Sequence, residues 1–193
     1  MNICIFGASS DRLDACYLEA AQELGRLLAD GGHRLIFGGG MTGVMGACAR
    51  GAAEGGGEIV GVAPRFFDEP GILYPGCTEF IYTETMAERK TAMEDMADAF
   101  ITLPGGIGTF EEFFEVLTLR QLGRHDKPIV LLNTAGYYDA LAAMLDRAVE
   151  GSFMSADVLT LCALCQTPAE ALQRVLTEPP RSGSVRRIVD YNK

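Results

Sequence analysis

The chain has 193 residues, 48% of them hydrophobic and 22% charged, which suits one globular domain with enough length to bury a substantial core. Its formal net charge of −10 repels phosphate backbones, and only the short Arg186-Arg187 pair interrupts that balance, so nucleic acid is excluded as an expected partner. The N-terminal MNICIFGASS has no basic leader, and no apolar run approaches the roughly 20 residues that span a bilayer, so a cytoplasmic protein without membrane contact is expected.

The elements alternate along the chain. Residues 3–6 read as a strand ending in GASS at 7–10, and residues 14–30 as a helix stopped by Gly31-Gly32. A second strand at 34–37 runs into GGGMTG at 38–43, followed by a helix at 44–54 and a third strand at 58–63. Residues 64–77 hold three prolines and two glycines and read as an irregular loop or lid. Then come a strand at 79–82, a helix at 84–96, a strand at 99–103 and a helix at 109–122. A strand at 129–132, a helix at 137–150, a strand at 158–161 and a helix at 168–176 complete the series. Glycine-bounded strands separated by helices predict an α/β fold: a single doubly wound Rossmann-like domain with a mainly parallel sheet, over residues 1–180, with a C-terminal tail at 181–193.

Six cysteines are scattered, mostly within apolar patterns, and read as buried reduced thiols. Cys162-x-x-Cys165 has no second pair, and His33 and His125 stand far from it in sequence, so no metal site is expected.

Ligands of open parallel sheets bind beyond the carboxyl ends of the strands. The turns GASS, GGGMTG and PGGIGT at 104–109 all fall there, and each can present main-chain N–H groups at a helix N-terminus. GGGMTG fits G-x-G-x-x-G but follows the second strand, and no acidic residue ends the next strand to hold a ribose, so a dinucleotide is not indicated. PGGIGTFEE is more specific. Gly105, Gly106 and Gly108 let backbone approach a phosphate, and Thr109 can add its hydroxyl while capping the helix. The lysine of a triphosphate loop is missing, which favours a monophosphate.

On the helix that follows, Phe110, Phe113, Phe114 and Leu117 form one stripe, with Glu111, Glu112 and Glu115 opposite. That polar side turns apolar towards Leu119 and Leu122, which predicts a partner subunit packed on it. In ETMAERKTAMEDM, Arg89 and Lys90 share the apolar stripe of Met86, Met93 and Ala97, and a half-buried arginine needs a carboxylate or a phosphate as acceptor.

Taken together, PGGIGTFEE, MAERK, GGGMTGVMG and QLGRHDKPIVLLNTAGYYDAL at 121–141 resemble the LONELY GUY family across almost the whole chain. These are cytokinin riboside 5′-monophosphate phosphoribohydrolases, often mislabelled as lysine decarboxylases. The resemblance implies hydrolysis of the N-glycosidic bond of an adenine-type nucleoside 5′-monophosphate, with no cofactor, in a homodimer whose active site lies near the subunit contact. It implies Arg89 and Glu112 as the catalytic pair, and Gly106, Gly108 and Thr109 as the phosphate cradle. Lys90 and Thr118 are implied as further substrate contacts, and the glycine turns add Ser9, Gly40, Gly105, Ile107 and Glu111 to the expected binding set. Ala87 stands where the family usually has a histidine, a change expected at the pocket wall. Two rivals remain: a non-catalytic nucleotide or molybdenum-cofactor carrier of the same superfamily, and a pyridoxal-phosphate decarboxylase, for which the chain offers only Lys90, Lys127 and Lys193.

Overall fold

A computed structural model describes residues 1–179 together with 181, 183 and 184. Seven parallel strands form one sheet: β1 (Asn2–Phe6), β2 (Arg34–Phe37), β3 (Ile59–Pro64), β4 (Glu79–Thr83), β5 (Ala99–Thr102), β6 (Ile129–Leu132) and β7 (Ala163–Cys165). Their order is β4-β3-β2-β1-β5-β6-β7. After β1 the chain builds outward through β2 and β3 to β4, then returns to lay β5 against the free side of β1. The order therefore reverses at β1, where Cys4 pairs in register with Ile36 on one side and Phe100 on the other. A parallel sheet covered on both faces needs strands that read as near-continuous apolar runs, as β6 (IVLL) does throughout and β2 and β5 do over LIF and AFI.

Helices α1 (Ala15–Asp30), α2 (Gly43–Glu54) and α6 (Pro168–Thr177) cover one face, where Leu24, Leu28, Ala47, Cys48, Leu172 and Val175 join the core. α3 (Met86–Met96) and α4 (Ile107–Gln121) bury Met93, Phe113, Val116 and Leu117 against the other, and α5 (Asp139–Glu150) adds Leu141 at its margin. α1 and α2 approach so closely that a Cβ on Gly25 would strike the Cys48 carbonyl, and one on Gly51 the Gln22 carbonyl. Among the described residues no helix is long and apolar enough to cross a membrane.

Helix and strand bounds agree with the sequence reading to within about two residues, a shift common at element ends, with one exception. Residues 158–161, expected as a strand, lie in a 3₁₀ helix over Ala156–Leu161, and the edge strand is β7, two residues later. Val158 and Leu161 are buried while Thr160 is exposed, so the apolar spacing is that of a helical turn. The expectation of buried thiols holds for Cys4, Cys48 and Cys165; Cys77 and Cys162 are half-buried and Cys16 is exposed. Most of the expected tail, including Arg186 and Arg187, lies outside the described residues.

Candidate active site

Three turns meet above the carboxyl ends of β1, β2 and β5 and are laced together by hydrogen bonds. Thr42 Oγ1 donates to the Ser9 carbonyl at 2.6 Å, the Gly43 N–H to Asp11 Oδ1 at 2.8 Å, and the Ala8 N–H to the Pro104 carbonyl at 3.1 Å. The loop at 64–77, after a 3₁₀ turn at Arg65–Phe67, folds back over the middle turn through an antiparallel bridge between Gly40 and Leu73. Together these segments enclose a cavity of about 610 Å³.

α4 starts at the cavity. Its N-cap is Gly106, which has no side chain to cap with, so first-turn N–H groups remain for an external acceptor. Thr109, expected to cap, sits instead within the first turn and packs its side chain against Gly105. A Cβ placed on Gly106 or Gly108 would meet nothing within 4 Å, and neither residue has a positive φ. The fold itself does not demand glycine at these two positions.

α3 supplies the cation. Thr85 caps it by accepting the Glu88 N–H at 3.1 Å while the Glu88 carboxylate accepts the Glu84 N–H at 2.9 Å, which fixes the first turn. Arg89 then points inward, 7% exposed, with Nε donating to the Val62 carbonyl at 3.2 Å and Nη1 to Glu112 Oε1 at 2.8 Å. Its guanidinium lies directly over Gly38, where a Cβ would collide with Nη2.

Glu112 is 9% exposed. The sequence reading placed it on a polar side with Glu111 and Glu115. The structure separates them: Glu112 shares the buried side of α4 with Thr109, Phe113, Val116 and Arg120, because Arg89 is there to receive it. Burial pushes its carboxyl above the ordinary carboxylate range, and the adjacent Arg89 opposes that rise without cancelling it. Its carboxyl therefore keeps a proton to higher pH than an exposed glutamate does, in a cavity it shares with Arg89.

Arg89, Glu112, Gly106, Gly108, Thr109, Ser9 and Gly40 all line this cavity. Gly105 stands behind its wall. Lys90 lies outside it, ion-paired with Glu111 and with Glu115 Oε2 at 2.7 Å. Glu111 and Thr118 are exposed away from the cavity, Ile107 is 82% exposed, and Ala87 is exposed on the first turn of α3. Sequence reading missed the apolar wall formed by Met45, Phe67, Ile72, Leu73 and Met86. The clue to it was the loop at 64–77, whose aromatic and aliphatic residues had no strand or helix to serve. Among the described residues no lysine lines the cavity: Lys90 is engaged as above and Lys127 Nζ donates to the Glu94 carbonyl at 2.6 Å. Among the described residues no three His, Cys, Asp or Glu side chains converge to hold a metal ion.

Comparison with known proteins places this site in a family. A family model described as "possible lysine decarboxylase" matches residues 45–175. The cytokinin riboside 5′-monophosphate phosphoribohydrolase LOG2 of Arabidopsis thaliana is 39% identical over 89% of this chain and 80% of its own length. The probable enzyme of the same name LOGL6 of Oryza sativa is 39% identical over 95% of this chain and 73% of its own. Among solved structures, the molybdenum cofactor binding protein of Rippkaea orientalis superposes with a TM-score of 0.71 at 22% identity, covering 91% of this chain and 95% of that one, a likeness of fold alone. Sequence relatives and fold together show that the chain belongs to the LONELY GUY family, the cytokinin riboside 5′-monophosphate phosphoribohydrolases.

Proposed function

We propose that this protein hydrolyses the N-glycosidic bond of adenosine 5′-monophosphates, plain or N6-substituted, releasing the free base and ribose 5-phosphate. The observation that carries the reading is the buried Arg89–Glu112 pair on the floor of a cavity rimmed by glycine turns. Cleavage of a ribosyl bond passes through an oxocarbenium-like state, which a carboxylate at the anomeric carbon stabilises while orienting water. Glu112 takes that role. Arg89 holds the Glu112 carboxylate in place and meets negative charge developing on the substrate. The 5′-phosphate sits against the N–H groups at the start of α4, and its binding energy positions the ribose without taking part in the bond change. The apolar wall of Met45, Phe67, Ile72, Leu73 and Met86 suits a base.

A homodimer in the cytoplasm is part of this proposal. Its support is the far end of α4, where Leu119 and Leu122 are only half-buried. Sedimentation at micromolar protein tests it, and a monomer would refute it.

The deciding experiment is a panel of AMP, isopentenyl-AMP, GMP and CMP, scored by released base. Adenine-type bases are expected from the first two. Release from none of the four would refute the reading and favour a carrier.

A further inference from the structure

The segment at 121–141 carries much of the family resemblance, yet none of the roles assigned so far uses its two tyrosines. In the structure they reach the phosphate-side turn from behind. Tyr137 Oη donates to the Gly105 carbonyl at 2.6 Å, and Tyr138 Oη to the Leu103 carbonyl at 2.6 Å. The Pro104 carbonyl accepts the Ala8 N–H at 3.1 Å, and the Gly106 carbonyl accepts the Phe110 N–H at 3.0 Å. Four consecutive carbonyls of a glycine-rich turn are thus each held by a different donor. In a trans peptide the carbonyl and the following N–H point in opposite directions. Holding the Gly105 carbonyl away from the cavity therefore fixes the Gly106 N–H towards it, and Gly106 lines the cavity.

The support of Tyr137 is itself fixed. It follows a 3₁₀ turn at Thr134–Gly136 in which Ala135 takes φ 54°, a left-handed conformation that costs a residue with a Cβ. The buried Asn133 maintains that turn: Nδ2 donates to Asp139 Oδ1 at 2.7 Å, and Oδ1 accepts the Tyr138 N–H at 2.6 Å. The Tyr137 ring is clamped edge-on between Tyr17 and Tyr138, with centroids 6.0 Å and 5.0 Å away. Backbone strain is spent where it aims one hydroxyl.

We propose that Tyr137 is a positioning residue for phosphate recognition: its hydroxyl holds the Gly105–Gly106 peptide so that the Gly106 N–H faces the 5′-phosphate. The proposal rests on the function proposed above. Tyr138 serves as the internal control, because the carbonyl it holds is followed by Pro104, which has no N–H to aim.

The test uses the full chain with AMP turnover, calorimetric binding of ribose 5-phosphate, and thermal melting. Tyr137→Phe is expected to raise the KM for AMP and the Kd of ribose 5-phosphate about tenfold, with kcat within about twofold, as befits one lost binding contact remote from the chemistry. Tm should fall only slightly, since Tyr137 is 39% exposed and water can replace the lost donor. Tyr138→Phe should lower Tm and leave KM unchanged. An unchanged KM and Kd in Tyr137→Phe, or an equal rise in Tyr138→Phe, overturns the proposal. If the wild type binds ribose 5-phosphate but releases no base, the proposed reaction falls while the Kd comparison still judges Tyr137. A wild type that takes up no ribose 5-phosphate overturns the role given to Tyr137, and one that also releases no base overturns both.

Discussion

Arg89 Nη1 donates to Glu112 Oε1 at 2.8 Å, and this single contact joins α3 to α4 beneath the cavity. Both side chains are almost wholly buried, so each is the other's principal counter-charge. Replacing Glu112 by glutamine keeps an acceptor for Arg89 and removes the charge that the transition state needs. Base release from AMP should fall by about 10²–10⁴-fold, and the melting temperature should fall as Arg89 loses its counter-charge while the protein still folds. A wild-type rate in Glu112→Gln would remove Glu112 from the mechanism.

Gly38 gives an independent handle on the same pair. Its missing side chain leaves room for the Arg89 guanidinium, and a Cβ there would collide with Nη2. Gly38→Ala should displace Arg89 from Glu112 and depress kcat while leaving both members of the pair chemically intact. A crystal structure of the variant with the 2.8 Å contact intact would refute this explanation of any lost activity.

The glycines of PGGIGT should divide into two classes. Gly106→Ala and Gly108→Ala meet open space, so neither should clash; at the N-cap Gly106→Ala should cost no more than about 1 kcal/mol, and Gly108→Ala within the first turn of α4 should gain up to about 1 kcal/mol. Nucleotide KM should nevertheless rise in both. Gly105→Ala crowds the Thr109 side chain and should cost about 1–3 kcal/mol of stability instead. Denaturant melts beside AMP kinetics separate the two classes.

Burial raises the Glu112 carboxyl above its ordinary value of 4.5, and Arg89 works against that rise. The carboxylate is absent below the raised value, so kcat/KM should climb with pH through a midpoint above the ordinary one. Removing the opposing charge with Arg89→Ala should carry the Glu112 titration higher still, as carboxyl NMR would record. A downward shift would mean that Arg89 is not the charge that matters.

Glu94 makes a prediction about stability. Burial, reinforced by Glu115 and Asp95 and opposed by Lys90 and Lys127, raises it from 4.5 to about 7. The folded state therefore holds this proton more tightly than the unfolded chain. The stability so gained is complete below 4.5 and is lost as pH rises through about 7. In Glu94→Gln the fall in melting temperature between about pH 5 and about pH 8 should be smaller than in wild type. An equal or larger fall would refute the assignment.

Much of this architecture was legible because apolar runs between glycines have few alternatives: β2 and β6 have the bounds expected of RLIF and IVLL. The run VLTL at 158–161 was not legible, since four residues cannot distinguish a buried strand from a buried helical turn. PGGIGTFEE pointed to a tight glycine turn opening a helix, but not to which face Glu112 takes. Glutamates in a first turn ordinarily face water, and only a cation brought from another helix reverses that. Contacts such as Tyr137 to Gly105, 32 residues apart, leave no local trace at all.

One buried charge far from the cavity bears on where the chain can be cut. Arg120, in the last turn of α4, has no exposed surface and donates Nη2 to Glu178 Oε1 at 2.7 Å, Nε to the Arg181 carbonyl at 2.7 Å, and Nη1 to the Leu161 carbonyl. The stretch matched by the family model stops at residue 175, short of two of those partners, Glu178 and Arg181. A recombinant fragment trimmed there would strand a guanidinium in the interior, and the helix that bears Glu112 would lose its far anchor.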